Sequence, residues 1–288
     1  MLGYKLLDSG NFEKLEIINH YKIIRPSLNS PYPKKNPVLW ENPDAIFFKK
    51  NSEGNWKFFS KVPESIILKI NDKINIKVKF TPFGHLGFFP EQFVNWELIN
   101  NFTNKYNEKL NILNLFAYSG ISTLYGLLGN SVCHVDASKG MVEWAKENAE
   151  LSNLKNANVR WITDDVIKFL KREVNRKKKY DCVILDPPTF GRGSRGEVWK
   201  IERDLPLLME MISELCKDNL KFIILSCHTT GYSPLILERI LQSYTNYNGN
   251  YGSKELYLID ESGSKLSGGF CSYYFSKKYK DALKLLTV

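Results

Sequence analysis

Between residues 112 and 188, four short apolar segments each end on small or acidic residues and give way to helical pattern. Residues 112–115 run into Phe116-Ala117-Tyr118-Ser119-Gly120, a tight turn, and residues 121–128 then carry helical periodicity. Residues 132–135 end on Asp136, residues 159–163 on Asp164-Asp165, and residues 180–185 on Asp186-Pro187-Pro188-Thr189-Phe190-Gly191. Parallel strands joined by helices leave a crevice along their carboxyl ends, and ligands of open α/β sheets lie there. The pattern predicts an α/β fold of Rossmann-like type with its functional residues at those strand ends.

The turn chemistry selects among nucleotide cofactors. A pyrophosphate needs three spaced glycines so that backbone N–H groups at a helix N-terminus can approach it. Here only Gly120 stands in the turn, and Tyr118 occupies a place where a phosphate would be crowded. S-adenosylmethionine carries no phosphate, so it fits this turn better than a dinucleotide. Asp136, roughly twenty residues beyond the first turn, suits a carboxylate that receives both ribose hydroxyls. Asp165 and the backbone N–H of Val166 suit the adenine. Each aspartate could instead cap the helix that follows it. Three of them at successive strand ends make capping alone the weaker account.

The segments LNLFAYSG, HVDASKGMVEWAKENAELSNL, DDVIKFL and DPPTFGRG, with HLGFFPEQ upstream, resemble the class I S-adenosylmethionine-dependent methyltransferases. More narrowly, they resemble the large-subunit rRNA methyltransferases of the cytosine-C5 and guanine-N7 branch. The resemblance runs from about residue 80 to the C-terminus, and the PUA-type RNA-binding module of the cytosine-C5 enzymes is not expected in this chain. It implies a Rossmann-like sheet closed by a C-terminal antiparallel hairpin, S-adenosylmethionine as cofactor, and methylation of RNA, with rRNA as partner. The implied cofactor-binding set is Phe89, Gln92, Asn114, Phe116, Tyr118, Ser119, Gly120, Asp136, Ala137, Ser138, Asp164, Asp165, Val166, Asp186 and Pro187. Substrate contacts are expected from Pro188, Phe190, Arg192 and Arg195, catalysis from Asp186 and Cys227, and no metal is expected.

A chain of 288 residues supports one large domain plus a smaller one. The expected organisation is a small β-rich domain over residues 1–80, a connecting loop and helix over 81–108, and a methyltransferase domain over 109–288. Residues 15–24, 46–49, 56–60, 66–70 and 74–80 read as the strands of the first domain, with hairpin signals at Asn51–Asn55 and Asn71-Asp72-Lys73. In residues 81–92, Pro82, Gly84, Gly87 and Pro90 punctuate a loop rich in Phe, before a helix over 91–104. The first twenty residues alternate polar and apolar types, so neither a signal peptide nor a membrane span is expected. The five cysteines show no paired spacing, which argues against zinc and for buried thiols in a reducing, cytoplasmic setting. The formal net charge of +9 suits a polyanion-binding surface, and equally a lysine- and asparagine-rich composition with no such role.

The active-site loop is expected at residues 186–200. Asp186 presents a carboxylate, Pro187-Pro188 stiffens the backbone so that its carbonyls point at a flat base, and Phe190 can stack on that base. Gly191 to Gly196 reads as a flexible loop whose Arg192 and Arg195 either clamp phosphate or stay in solvent. A nitrogen acceptor needs little more than in-line positioning. Cytosine C5 needs a thiolate added at C6, and Cys227 at the end of the fifth strand matches that role in position and type. A packed, inert Cys227 is the alternative, and His228 beside it either lowers the thiol pKa or points away. A methyltransferase of protein or small-molecule acceptors, and a non-catalytic RNA-binding relict, are the rival functions.

Overall fold

The computed structural model describes residues 1–50, 53–193, 196–217, 219–245 and 248–286. The chain divides into two compact units, Met1–Phe93 with Leu256–Gly268, and Val94–Glu255 with Gly269–Val288.

In the first unit, strands β1 (Tyr4–Gly10), β2 (Glu13–Ile18), β3 (Tyr21–Pro26), β4 (Ala45–Lys50) and β5 (Glu53–Phe58) form one sheet in chain order. All neighbours are antiparallel except β3 and β4, which pair in parallel. Strands β6 (Ser65–Lys69) and β7 (Asn75–Lys79) form a separate hairpin, whose turn is held by Asn71 Oδ1 accepting the Lys73 and Ile74 N–H groups. The alternation that marks these segments in sequence is the alternation of their burial: Ile66, Leu68, Ile76 and Val78 face inward, while Ile67 faces out. β1 has no counterpart among the expected strands. The apolar pattern over 15–24 is divided between β2 and β3 around Asn19, which takes a left-handed φ of 56° and turns the chain.

A buried ion pair ties this unit together. Arg25 donates from Nε and Nη2 to the two Glu16 carboxylate oxygens at 2.7 and 2.8 Å, and from Nη1 to the Gly84 carbonyl at 2.9 Å. Tyr4 adds a hydroxyl donation to Glu16 at 2.8 Å. Burial alone would raise the Glu16 carboxyl, but Arg25 and Lys14 outweigh it and hold the group down at about 2. Removing one partner of a desolvated pair leaves the other charge stranded. Arg25→Met should therefore destabilise the protein by about 3–5 kcal/mol, read as a lowered urea midpoint. Glu16 titrates lower in the folded than in the unfolded chain. Its contribution is complete above the ordinary glutamate range and is lost as pH falls toward about 2. Urea midpoints that decline equally with acid in wild type and Arg25→Met would contradict this.

The second unit carries the seven-stranded sheet. Its strands are β8 (Asn111–Leu115), β9 (Ser131–Asp136), β10 (Val159–Thr163), β11 (Cys182–Leu185), β14 (Phe222–Cys227), β15 (Asn250–Ile259) and β16 (Lys265–Phe275). Their order in the sheet is β10-β9-β8-β11-β14-β16-β15, the first five parallel and β16 antiparallel to β14. The last two strands extend into the first unit. The strand order reverses between β8 and β11, which is the switch point where ligands of such sheets bind. The fold is the Rossmann-like sheet with a C-terminal antiparallel pair that the sequence predicts. The hairpin turn is tight, with Asp260 accepting from the Ser262 and Ser264 N–H groups, and β16 begins at Lys265.

The helices are α1 (Phe93–Tyr106), α2 (Ile121–Leu127), α3 (Lys139–Leu151), α4 (Val166–Asn175), α5 (Ile201–Cys216) and α6 (Pro234–Tyr244). One sheet face buries Leu113, Leu115, Val135, Val183, Leu185, Ile223, Leu225 and Cys227 in a core shared with α4, α5 and α6. Alternation sends Asn114, His134 and Ser226 to the opposite face. Arg176-Lys177-Lys178-Lys179 is an exposed turn after α4. All five cysteines are free and buried. Among the described residues, no helix is long and apolar enough to cross a membrane, and no group of acidic, histidine and cysteine side chains could hold a metal.

Candidate active site at the carboxyl edge of the sheet

The turn after β8 is strained in a specific way. Phe116, Tyr118 and Gly120 alternate with Ala117 and Ser119 and all have positive φ, 54°, 51° and 86°. Two non-glycine residues in this region cost about 1–2 kcal/mol each, and such strain concentrates where a site needs its backbone held. The Ala117 N–H donates to Val135 O at 3.0 Å, and Asn148 Nδ2 donates to Ser119 O at 2.9 Å. Gly120 has a second reason to lack a side chain: a Cβ there would lie 2.6 Å from Ala145 Cβ on α3. The close approach at this glycine is thus made by a helix.

Asp136 is the hub of the edge. Its Oδ2 accepts the Tyr118 N–H at 2.9 Å, its Oδ1 accepts the Ser138 N–H at 2.8 Å, and its carbonyl accepts the Asp164 N–H at 3.0 Å. Burial pushes its carboxyl pKa up, against the lowering by the Ser138 and Tyr118 N–H groups. A carboxylate oxygen accepts two hydrogen bonds, so each retains capacity for a hydroxyl donor. Ser138 caps α3, accepting from Met141 N at 3.4 Å, with Ala137 half-buried between the two.

Asp164 and Asp165 part company. Asp164 accepts the Asp165 N–H at 3.0 Å and pairs with Arg172. Asp165 is the N-cap of α4, accepting from Lys168 N at 2.9 Å, which is the capping alternative seen in the sequence. Val166 opens the helix, where backbone N–H groups lack intrahelical acceptors. Asn114 is brought beneath the edge rather than to it: it is buried and donates to Thr123 Oγ1 at 2.9 Å, which in turn meets His134 Nδ1 at 2.9 Å. His134, buried in that network, has its pKa driven down to about 3 by desolvation. Trp144 is buried too, 6.3 Å between centroids from the Tyr118 ring, so it is a packing residue.

At the end of β11, Asp186 Oδ2 lies 3.5 Å from His228 Nε2, with the two side chains 30% and 38% exposed. His228 therefore faces the carboxylate. Its imidazole fits because Gly269 has no Cβ; one there would sit 2.6 Å from Nδ1. Pro187 is buried and Pro188 exposed. The Pro188 carbonyl accepts the Trp199 indole N–H at 2.6 Å, so it is not aimed at a base as expected. Phe190 is 49% exposed, with the Arg192 guanidinium 5.8 Å from its ring centre.

The segment expected as a flexible loop is a short hairpin, β12 (Phe190–Arg192) against β13 (Val198–Lys200). Trp199 anchors it from below, edge-on to Phe116 at 4.8 Å. Thr189 and Thr229 hydroxyls meet at 2.7 Å and join the turns after β11 and β14. Arg195 lies outside the described residues. Cys227 shares this sheet edge but is 0% exposed; its thiol accepts the Thr229 N–H at 3.4 Å, and burial raises its pKa. Phe89 and Gln92 belong to the first unit, Phe89 with its ring 5.5 Å from His85 and Gln92 buried at the end of the 3-10 turn Pro90–Gln92.

No protein-family model matches the chain. The crystal structure of the SAM-dependent methyltransferase from Agrobacterium tumefaciens superimposes with a TM-score of 0.90 at 34% identity, covering 95% of this chain and 90% of that one. Over 188 residues the chain is 30% identical to ribosomal RNA large subunit methyltransferase K/L of Shewanella frigidimarina, covering 63% of this chain and 26% of that protein. Over 173 residues it is 30% identical to ribosomal RNA large subunit methyltransferase I of Aeromonas hydrophila, covering 58% and 42%. The matches thus span less than half of either curated relative. The chain belongs to the S-adenosylmethionine-dependent methyltransferases.

The seat of Gly120 makes a direct test. Gly120→Ala adds a Cβ against Ala145 at a left-handed backbone position, and should lower stability by about 2–4 kcal/mol, from strain plus overpacking. A melting temperature equal to wild type would mean that α3 does not rest on this turn.

Proposed function

We propose that this protein transfers the methyl group of S-adenosylmethionine to a base of ribosomal RNA. The observation that carries the reading is the shared sheet edge, where a carboxylate suited to a ribose (Asp136, ending β9) and an acidic turn with a half-exposed ring (Asp186 to Phe190, after β11) stand on either side of β8. The cofactor fits the residues present. The turn after β8 offers one glycine and two left-handed side-chain-bearing residues, which suits a ligand without phosphate. Asp136 would receive the ribose hydroxyls, Val166 N–H and the Asp165 region the adenine, and the turn from Phe116 to Gly120 the rest of the nucleoside. When bound, S-adenosylmethionine supplies an electrophilic methyl on a sulfonium. The chain's task is alignment: Phe190 stacks the target base, Arg192 contacts a neighbouring phosphate, and Asp186 accepts a hydrogen bond from an N–H of the base. His228 is placed to pass the proton lost by that nitrogen from Asp186 to solvent.

The buried, protonated Cys227 favours a nitrogen acceptor, because alignment alone serves it and no thiolate has to be uncovered. The carbon-5 reading retains one supporting observation: β14 pairs with β11 so that Leu225 lies beside Leu185, and both strands end at one edge. The relatives named as ribosomal RNA methyltransferases support the RNA class of substrate, as does the net charge of +9.

Removing two charge-assisted acceptors in Asp136→Ala should weaken cofactor binding by about 1.5–3 kcal/mol per hydrogen bond. Hydroxyl donors favour the ionised carboxylate, so binding should release protons and weaken as pH falls, beginning above the ordinary aspartate range because burial raises this group. Calorimetry in buffers of different ionisation heat measures both. A pH-independent affinity would remove Asp136 from the site.

The acceptor is decided by a second experiment. Asp186→Ala should reduce kcat by about 100-fold or more, as expected for a lost positioning and proton-accepting group. Cys227→Ala should keep turnover and lose only the stability of a small packed side chain, and RNA carrying 5-fluorocytosine should form no covalent adduct. An adduct that survives denaturing gels and disappears in Cys227→Ala would establish the carbon-5 route instead. Nucleoside mass spectrometry of rRNA from a deletion strain, compared with its parent, identifies the modified base; an identical profile would refute the RNA assignment.

A further inference from the structure

The positive charge of this chain is concentrated. Residues 45–80 hold eight lysines against three acidic residues, a net of +5 from the whole chain's +9 in one eighth of its length. The same stretch holds six aromatic residues. It forms β4 to β7 of the first unit, and β5 is the outer strand of the five-stranded sheet.

The rings on this edge are both fixed and open. Phe58 is set edge-to-face with Phe80, centroids 5.3 Å apart and planes at 82°, and lies nearly parallel to Trp56 at 6.3 Å. Trp56 is itself anchored by its indole N–H donating to Thr81 O at 2.8 Å. On the other side of β5, the Lys57 ammonium stands 4.8 Å over the ring of Phe59. Phe48, Phe58 and Phe59 are 48%, 46% and 52% exposed. Lysines on an edge strand have an ordinary use, since they deter pairing with another sheet. That use covers Lys57 on β5 and leaves the rings unexplained, because half-exposed phenylalanines at the end of β5 (Phe58), just beyond it (Phe59) and on the adjoining β4 (Phe48) promote association.

Together the two features have one chemical match. Lysines without arginine offer point charges suited to phosphates, with no planar fork to read base edges. Flat rings offer a face on which any base can stack. A duplex keeps the faces of its bases in its own stack, so rings would be idle against it. We propose that the outer edge around β4 and β5 binds single-stranded RNA, with Phe48, Phe58 and Phe59 as stacking platforms and Lys49, Lys57 and Lys61 as phosphate contacts. The proposal rests on RNA being the substrate, and gives the first unit the task of holding the strand without reading its sequence.

Two variants of the full chain test it, Phe58→Ala/Phe59→Ala and Lys49→Gln/Lys57→Gln/Lys61→Gln, with fluorescence anisotropy on a short labelled single-stranded oligoribonucleotide and on its duplex. All five side chains are exposed, so melting temperature and S-adenosylmethionine affinity should stay at the wild-type values. The ring variant should bind the single strand about 5- to 150-fold more weakly for each stacked base lost, with little change for the duplex. The lysine variant should lower the slope of log K against log salt by up to about 2, at about 0.7 per phosphate contact. Wild-type affinity and slope in both variants would overturn this surface while leaving RNA as substrate. A wild-type chain that binds no RNA would remove the substrate reading and this inference with it. A concentration-dependent dimer in sedimentation, abolished by the ring variant, would assign the edge to self-association and equally overturn the proposal.

Discussion

Three strand ends of the large sheet meet on one residue. Asp136 takes N–H groups from the turn after β8 and from the start of α3, and its own carbonyl takes the N–H that opens the turn after β10. These turns belong to three different crossovers, and nothing in their own backbones obliges them to align. A carboxylate that is largely removed from water holds its acceptors firmly, because its burial penalty is offset only while those N–H groups stay in place. The left-handed conformations of Phe116 and Tyr118 persist on the same terms, as strain maintained by surrounding bonds. The edge is thus held by hydrogen bonds within the chain itself.

The two faces of the sheet divide the labour. The face shared with α4, α5 and α6 is a continuous apolar core, and Cys227 belongs to it. The opposite face carries polar residues in linked networks. Asn114, Thr123 and His134 form one, and Asn95 donates to Ser226 and accepts from Tyr273 in another. Such a buried polar network inside a sheet specifies register, since a one-residue slip would exchange these side chains for apolar ones. The same period-two rule turns His228 away from the core that receives Cys227, and so toward Asp186. The hairpin β12–β13 then roofs the acidic turn, held by Trp199 beneath it.

Much of this was readable before any coordinates. Apolar runs ending on Asp136, Asp165 and Asp186 state a parallel sheet, because only buried strands between helices are continuously apolar and only their carboxyl ends carry the polar punctuation. The hairpins of the first unit show as alternation broken by Asn and Gly. These signals are local, each contained within one strand and its turn. The sequence missed β1, the two-stranded form of the loop after Phe190, and the Pro188 carbonyl's commitment to Trp199, because each depends on a partner elsewhere in the chain. Asn114 enters the expected site through the resemblance alone, and alternation sends its side chain under the sheet, to Thr123.

The sequence by itself determined the class of fold, the strand ends that carry chemistry and the kind of cofactor the first turn admits, because periodicity, glycine spacing and strand-terminal acids are properties of short segments. Only the tertiary structure decided what each side chain on that edge does. It gave Asp165 to a helix cap, Gly120 to the approach of α3, the Cys227 thiol to the core and His228 to Asp186. Each of these depends on which face of a strand a residue occupies and on what another element, distant in sequence, brings within a few ångströms of it. Hydrogen bonds and desolvation act over such distances alone, so they take effect only once the chain has closed on itself.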